Sequence, residues 1–125
     1  PIDHLIEVGK SWARSPELTI SGSRDFSGGS YDMSQKAYVM TRKSNRRSKL
    51  EFSMDASESS PVLNPAFVIK KWGDHDFTME VNGKEMTEGK DYQTGYIQEF
   101  EGTRMIIWLK EESDQPLRIK IEEST

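Results

Sequence analysis

The stretch Tyr92-Gln93-Thr94-Gly95-Tyr96-Ile97-Gln98-Glu99-Phe100-Glu101-Gly102-Thr103-Arg104-Met105-Ile106-Ile107-Trp108-Leu109-Lys110 decides the fold. Its first half, Tyr92 to Phe100, reads as one long strand. Glu101-Gly102-Thr103 turns the chain, and Arg104 to Lys110 brings it back. In the return, Met105, Ile107 and Leu109 fall on one face while Ile106 and Trp108 fall on the other, because successive strand side chains alternate. Both faces carry large apolar groups. The reading is therefore a strand inside a sheet, with Trp108 in the core.

The same period of two recurs in both directions along the chain. After Asp114-Gln115-Pro116, Leu117 to Ile121 alternates again and ends on a frayed acidic pair, Glu122-Glu123. Upstream, Phe77 to Val81 runs into Asn82-Gly83, a pair suited to the positive φ angles of a type I′ hairpin turn, and Lys84-Glu85-Met86 returns from it. Ala66 to Trp72 is apolar on both faces and belongs inside a sheet. Leu50, Phe52 and Met54 alternate with Glu51, Ser53 and Asp55. With Ala37 to Thr41 and the turn Ser44 to Ser48, they read as a hairpin. Glu17 to Ser21 is the first clear strand. Ser23 to Ser34, holding Gly28-Gly29, reads as a long loop, and Ser57 to Pro61 as a polar one. A short helical turn fits only Pro1 to Val8, and Gly9 stops it.

Short alternating runs separated by turn residues, roughly 8–12 residues apart, are the pattern of an all-β domain. The expected fold is an antiparallel β-sandwich of about eight strands, two sheets deep. Its 125 residues suit one domain, 1–125, with 1–16 as an irregular linker or docking segment. Pro1 and the absence of a leader-like start read as excision from a longer polypeptide.

Composition narrows the function classes. Charged residues make up 30% of the chain with both signs interspersed and a net charge of -4, which disfavours nucleic acid as a partner. The one basic cluster, Arg42-Lys43-Ser44-Asn45-Arg46-Arg47, reads as a solvated hairpin tip. No apolar run approaches the roughly 18 residues of a membrane-spanning helix. There is no cysteine, so disulfides, thiol nucleophiles and cysteine-based zinc sites are out of reach.

Catalytic constellations are missing at the level of sequence. His4 and His75 are not paired at metal-ligand spacing. Asp74-His75-Asp76 and the pair Asp25 and Asp32 could each offer oxygen ligands to a cation, but neither fits a known metal loop. Gly28-Gly29 lacks the lysine and the strand-to-helix transition of a phosphate loop. Asp91, Glu99 and Glu101 are carboxylates that sequence cannot place across a cleft, as glycoside hydrolysis requires. The reading is no catalytic residue, no metal and no cofactor.

Aromatic side chains are the remaining surface candidates, because a flat ring offers apolar area to a sugar or a neighbouring domain. Trp12, in an irregular segment, reads as a plug against the sandwich or an adjoining domain. Trp72, beside Gly73, reads as the edge of the core. Tyr31, Tyr92 and Tyr96 lie in or near loops, where they either join a binding face or brace the loop through the hydroxyl.

Two stretches carry a family resemblance. Asp3-His4-Leu5-Ile6-Glu7-Val8-Gly9-Lys10-Ser11-Trp12 and Asn64-Pro65-Ala66-Phe67-Val68-Ile69-Lys70-Lys71-Trp72-Gly73 resemble segments of carboxy-terminal β-sandwich modules in large polysaccharide-degrading enzymes of gut bacteria, with Gly102 to Lys110 as a third matching stretch. These are packing and turn motifs, so no active-site residue transfers. The resemblance implies a non-catalytic accessory module of an exported multi-domain protein, located outside the cell or in the periplasm. Its partner would be the neighbouring catalytic domain of the same chain. Two alternatives stay open: a carbohydrate-binding module that holds polysaccharide on exposed aromatics, and a cell-surface adhesion or protein-interaction domain.

Overall fold

The computed structural model describes residues 16–21, 25–43, 49–73 and 75–123. Twelve strands and no helix occur among them: β1 (Leu18–Ile20), β2 (Phe26–Asp32), β3 (Ala37–Arg42), β4 (Lys49–Met54), β5 (Val62–Leu63), β6 (Ala66–Lys70), β7 (Phe77–Val81), β8 (Lys84–Glu85), β9 (Tyr92–Glu99), β10 (Gly102–Leu109), β11 (Glu112–Ser113) and β12 (Leu117–Glu123). One five-stranded sheet runs β1-β4-β12-β7-β8. A second runs β2-β3-β6-β10-β9, and β11-β5 form a two-stranded pair. The all-β expectation holds; the strand count rises from about eight to twelve.

The inward residues are those the alternation names. Leu50, Phe52 and Met54 of β4 and Leu117, Ile119 and Ile121 of β12 meet Phe67 and Ile69 of β6 and Met105, Ile107 and Leu109 of β10 in one core. Phe52 and Phe67 join the layers edge to face, their centroids 5.0 Å apart. Burying each such ring contributes roughly 1.5–3 kcal/mol.

Three local readings are corrected. Ser23 to Ser34 is not a loop throughout: Phe26–Asp32 pairs antiparallel with β3, with a register shift between Gly28 and Ser30. Serine and glycine side chains give that strand no hydrophobic period to detect, and the bulge breaks what period there is. Second, β3 and β4 are not a hairpin. β3 pairs with β2 and β6, whereas β4 pairs with β1 and β12, so the chain crosses from one sheet to the other between them. That crossing lets β3 lie parallel to β6, the one parallel strand pair among the described residues, since parallel neighbours need a long connection. Third, β12 does not fray at Glu122-Glu123 but pairs with β7 as far as Glu123 and Phe77. The short strands β5 and β11 add to the count in stretches that the alternation leaves unassigned.

The Asn82-Gly83 turn forms as expected, with φ of 52° and 84°. Asn82 also ties that hairpin to β12, its Oδ1 accepting from the Arg118 amide at 2.8 Å. No helix among the described residues is long and apolar enough to cross a membrane.

Candidate functional site

The side chains that carry surface chemistry are set by the register of the second sheet. Met40, Ile69 and Met105 lie in one inward row that ends on Tyr96 at the β9 edge. The outward row beside it is Val39, Val68, Ile106 and Gly95. Trp108 stands two residues from Ile106 on the same outward face, opposite Gln93 and Ala66. Four strands thus present apolar groups on the side of the sheet that faces away from the core.

Trp108 is half exposed, at 50%, and not in the core as its sequence context suggests. The alternation assigned it correctly to the face opposite Met105, Ile107 and Leu109. It could not say that the indole stands half in water on that face. The six-membered ring of the indole lies over Gly95: a methyl group there would come within 3.0 Å of Cη2 and 3.1 Å of Cζ3. Glycine is the residue that lets the ring settle onto the backbone. Ile97, 48% exposed, extends the apolar surface along β9.

Polar groups frame this surface at both ends. A shallow groove of about 310 Å³ beside Trp108 is bordered by Asn64, Lys90, Gln93 and Lys110. At the other end Arg104 pairs with Glu99 through both carboxylate oxygens, at 2.9 and 3.0 Å, and reaches Gln35 Oε1 at 3.3 Å. The arrangement suits contact with a flat, partly apolar surface, with hydrogen-bonding groups at the margins to fix orientation.

The residues singled out from sequence are dispersed. Trp72 is buried at 1% exposure, its Nε1 donating to the His75 carbonyl at 2.9 Å. Tyr92 is buried at 5% and packs against Phe77, with centroids 5.9 Å apart. Burial, with Glu88 adding to it, raises its phenol above the ordinary range. Neither ring is open to a surface partner. Tyr31 is half-buried against Tyr38, edge to face at 5.1 Å. Tyr96 is 50% exposed, but it projects on the inward side of β9. It stays open because the opposing edge strand, β8, spans only Lys84–Glu85. Tyr96 and Trp108 therefore lie on opposite faces and cannot form one platform. Trp12 lies outside the described residues.

A second cluster joins the two sheets. Arg42 does not sit in a solvated tip: its guanidinium is buried, 5.9 Å from the Phe26 ring and 5.1 Å from that of Trp72. It pairs with Glu123 and donates to the Trp72 carbonyl at 3.1 Å. His75 Nε2 is 3.9 Å from Glu123 Oε1. The cluster closes the end of the sandwich where β3 of one sheet approaches β12 of the other.

The Asp32 carboxylate is occupied within its own turn. It accepts from the Ser34 hydroxyl at 2.7 Å, the Ser34 amide at 2.9 Å and the Gln35 side chain at 2.8 Å. Those bonds, led by that of the Ser34 side chain, lower its pKa to about 2. No group of three His, Asp or Glu residues among the described residues is placed to hold a metal ion. Comparison with protein-family models, curated proteins and solved structures returned no match.

Proposed function

We propose that this chain is a non-catalytic accessory β-sandwich module of an exported carbohydrate-active protein, acting outside the cell or in the periplasm. Its role is to dock against a neighbouring catalytic domain through the outward face of β10 and β9. The observation that carries the reading is the exposed apolar pair on that face, Trp108 at 50% seated on Gly95 and Ile97 at 48%, beside partly exposed Ile106. Large apolar patches rimmed by polar groups mark contact surfaces. An aromatic near the centre of such a patch commonly supplies much of the binding free energy.

The test is co-expression of the chain with the catalytic domain the reading requires. The two should co-purify, and Trp108→Ser should weaken the contact by about 2 kcal/mol or more, as loss of a central aromatic does. Co-purification that ignores Trp108 would reject this face as the docking surface.

One observation favours a second reading. The free side of the Trp108 ring, beside a groove bordered by Gln93, Asn64 and two lysines, suits a pyranose ring stacked face-on with amide and ammonium groups at its hydroxyls. A single platform of this kind predicts weak binding. In affinity electrophoresis through polysaccharide gels, migration of the chain should slow on the matching glycan, and Trp108→Ser should restore it. Free migration on every glycan would leave docking as the function.

A further inference from the structure

The four sheet edges are not alike. In the first sheet, β1 has three residues and β8 two, too short to template a further strand. In the second, β2 is interrupted by the bulge at Gly28 and Ser30. Each is a common way of blunting an edge. β9 has none of these features. It runs eight residues in unbroken register with β10 from Gly102↔Glu99 to Leu109↔Tyr92. From Tyr92 to Gln98 it has no charge and no proline. Among the described residues its outer side is met at the start of the strand by the preceding turn, where Glu88 bridges Tyr92, the Gly89 amide donates to the Tyr92 carbonyl at 2.7 Å and the Thr94 hydroxyl donates to the Glu88 carboxylate at 2.9 Å; no strand pairs with it from Gly95 to Glu99.

We propose that β9 pairs antiparallel with β9 of a second copy of this chain, about a two-fold axis at Tyr96, joining two five-stranded sheets into one. Facing residues of an antiparallel pair must lie on the same sheet face, so only registers that place a residue opposite itself are admissible. With the axis at Tyr96, Gly95 of one chain faces Ile97 of the other, Thr94 faces Gln98, and Gln93 faces Glu99. No like charges meet. Ile97 of each chain then lies against the indole that covers Gly95 of the other, which continues the outward apolar row across the junction. On the inward face the two Tyr96 rings, each half exposed in the single chain, become cross-strand neighbours. Moving the axis to Gly95 sets Asp91 against Glu99, and moving it to Ile97 sets Glu99 over Gly95 and shortens the paired segment. The edge is self-complementary in one register. This goes beyond the docking role, which uses the sheet's face, whereas self-association uses its edge.

Sedimentation equilibrium of the 125-residue chain tests the proposal. The chain should form a concentration-dependent dimer. Tyr96→Lys and Tyr96→Glu each place like charges on the axis and should each weaken dimerisation by about tenfold or more. An equimolar mixture of the two should recover pairing, because the charges facing each other are then opposite. Met33→Lys, an exposed change in the β2–β3 turn, should leave the dimer as it is. A second measurement needs no variant: backbone amides of residues 94–98 should exchange more slowly at dimeric than at monomeric concentrations. A chain that stays monomeric overturns the proposal. So does a dimer indifferent to both charges, a mixture that fails to recover, or exchange in β9 independent of concentration.

Discussion

At the scale of single residues, Arg42 and Glu123 show what periodicity does not contain. Both sit at the ends of their strands in polar sequence, and each reads as solvated when its neighbours alone are considered. They are buried because β3 and β12, distant in sequence and in different sheets, end at the same place, with Phe26 and Trp72 closing over the pair. A buried ion pair adds little net stability relative to an apolar pair of similar size, but removing one partner strands a charge. Glu123→Ala should lower unfolding free energy by about 3–5 kcal/mol in urea titration, while Arg42→Met with Glu123→Leu should stay close to wild type. Equal losses in the single and double variants would mean that packing, not charge, sets the cost. Asp32 carries a pH-dependent prediction. Its folded pKa of about 2 lies below the ordinary aspartate value of 3.8, so its contribution to stability is fully present above about pH 4 and is lost as pH falls through 2. Its side-chain carbon resonance should titrate with a midpoint near 2, and Ser34→Ala should move that midpoint up by removing the strongest donor.

Individual elements divide by whether side chains or backbone define them. Strands with an apolar period, β4, β6, β7, β10 and β12, are legible in the sequence because burial selects every second residue. The Asn82-Gly83 turn is legible because few residues tolerate its φ angles. β2 is hidden because backbone pairing and two glycines at φ of 95° and 110° make it, and its side chains do not. The difference can be measured. At Gly83 an added methyl meets nothing within 4 Å, so Gly83→Ala should cost only the positive-φ penalty of roughly 1–2 kcal/mol. At Gly28 the same methyl falls 2.8 Å from the Val39 carbonyl oxygen, a backbone atom of the paired strand, in addition to a φ of 95°. Gly28→Ala should therefore lower the urea midpoint further than Gly83→Ala. The reverse order would show that the bulge yields easily and that β2 holds the sheet edge only loosely.

Across the whole molecule, the two sheets bury their inner faces against each other, and the second sheet keeps apolar groups on its outer face as well. The alternation in Arg104–Lys110 records both facts but cannot separate them, since a residue inside a second interface and one in the core follow the same period. Trp72 and Trp108 make that separation testable. Trp72 is enclosed by Phe26, Phe77 and Arg42, so Trp72→Ala opens a cavity and removes a ring contact on each side. The expected loss is roughly 3–5 kcal/mol in a urea melt. The Trp108 indole lies over Gly95 and leaves half its surface in water. Trp108→Thr keeps a β-branched residue in the strand and should lower stability by about 1 kcal/mol or less. A loss that small would leave the docking contact proposed above as the reason for so large a residue at this position. If Trp108→Thr instead costs as much as Trp72→Ala, the indole is serving the domain's own stability. The outward face would then lose its claim to be a contact surface.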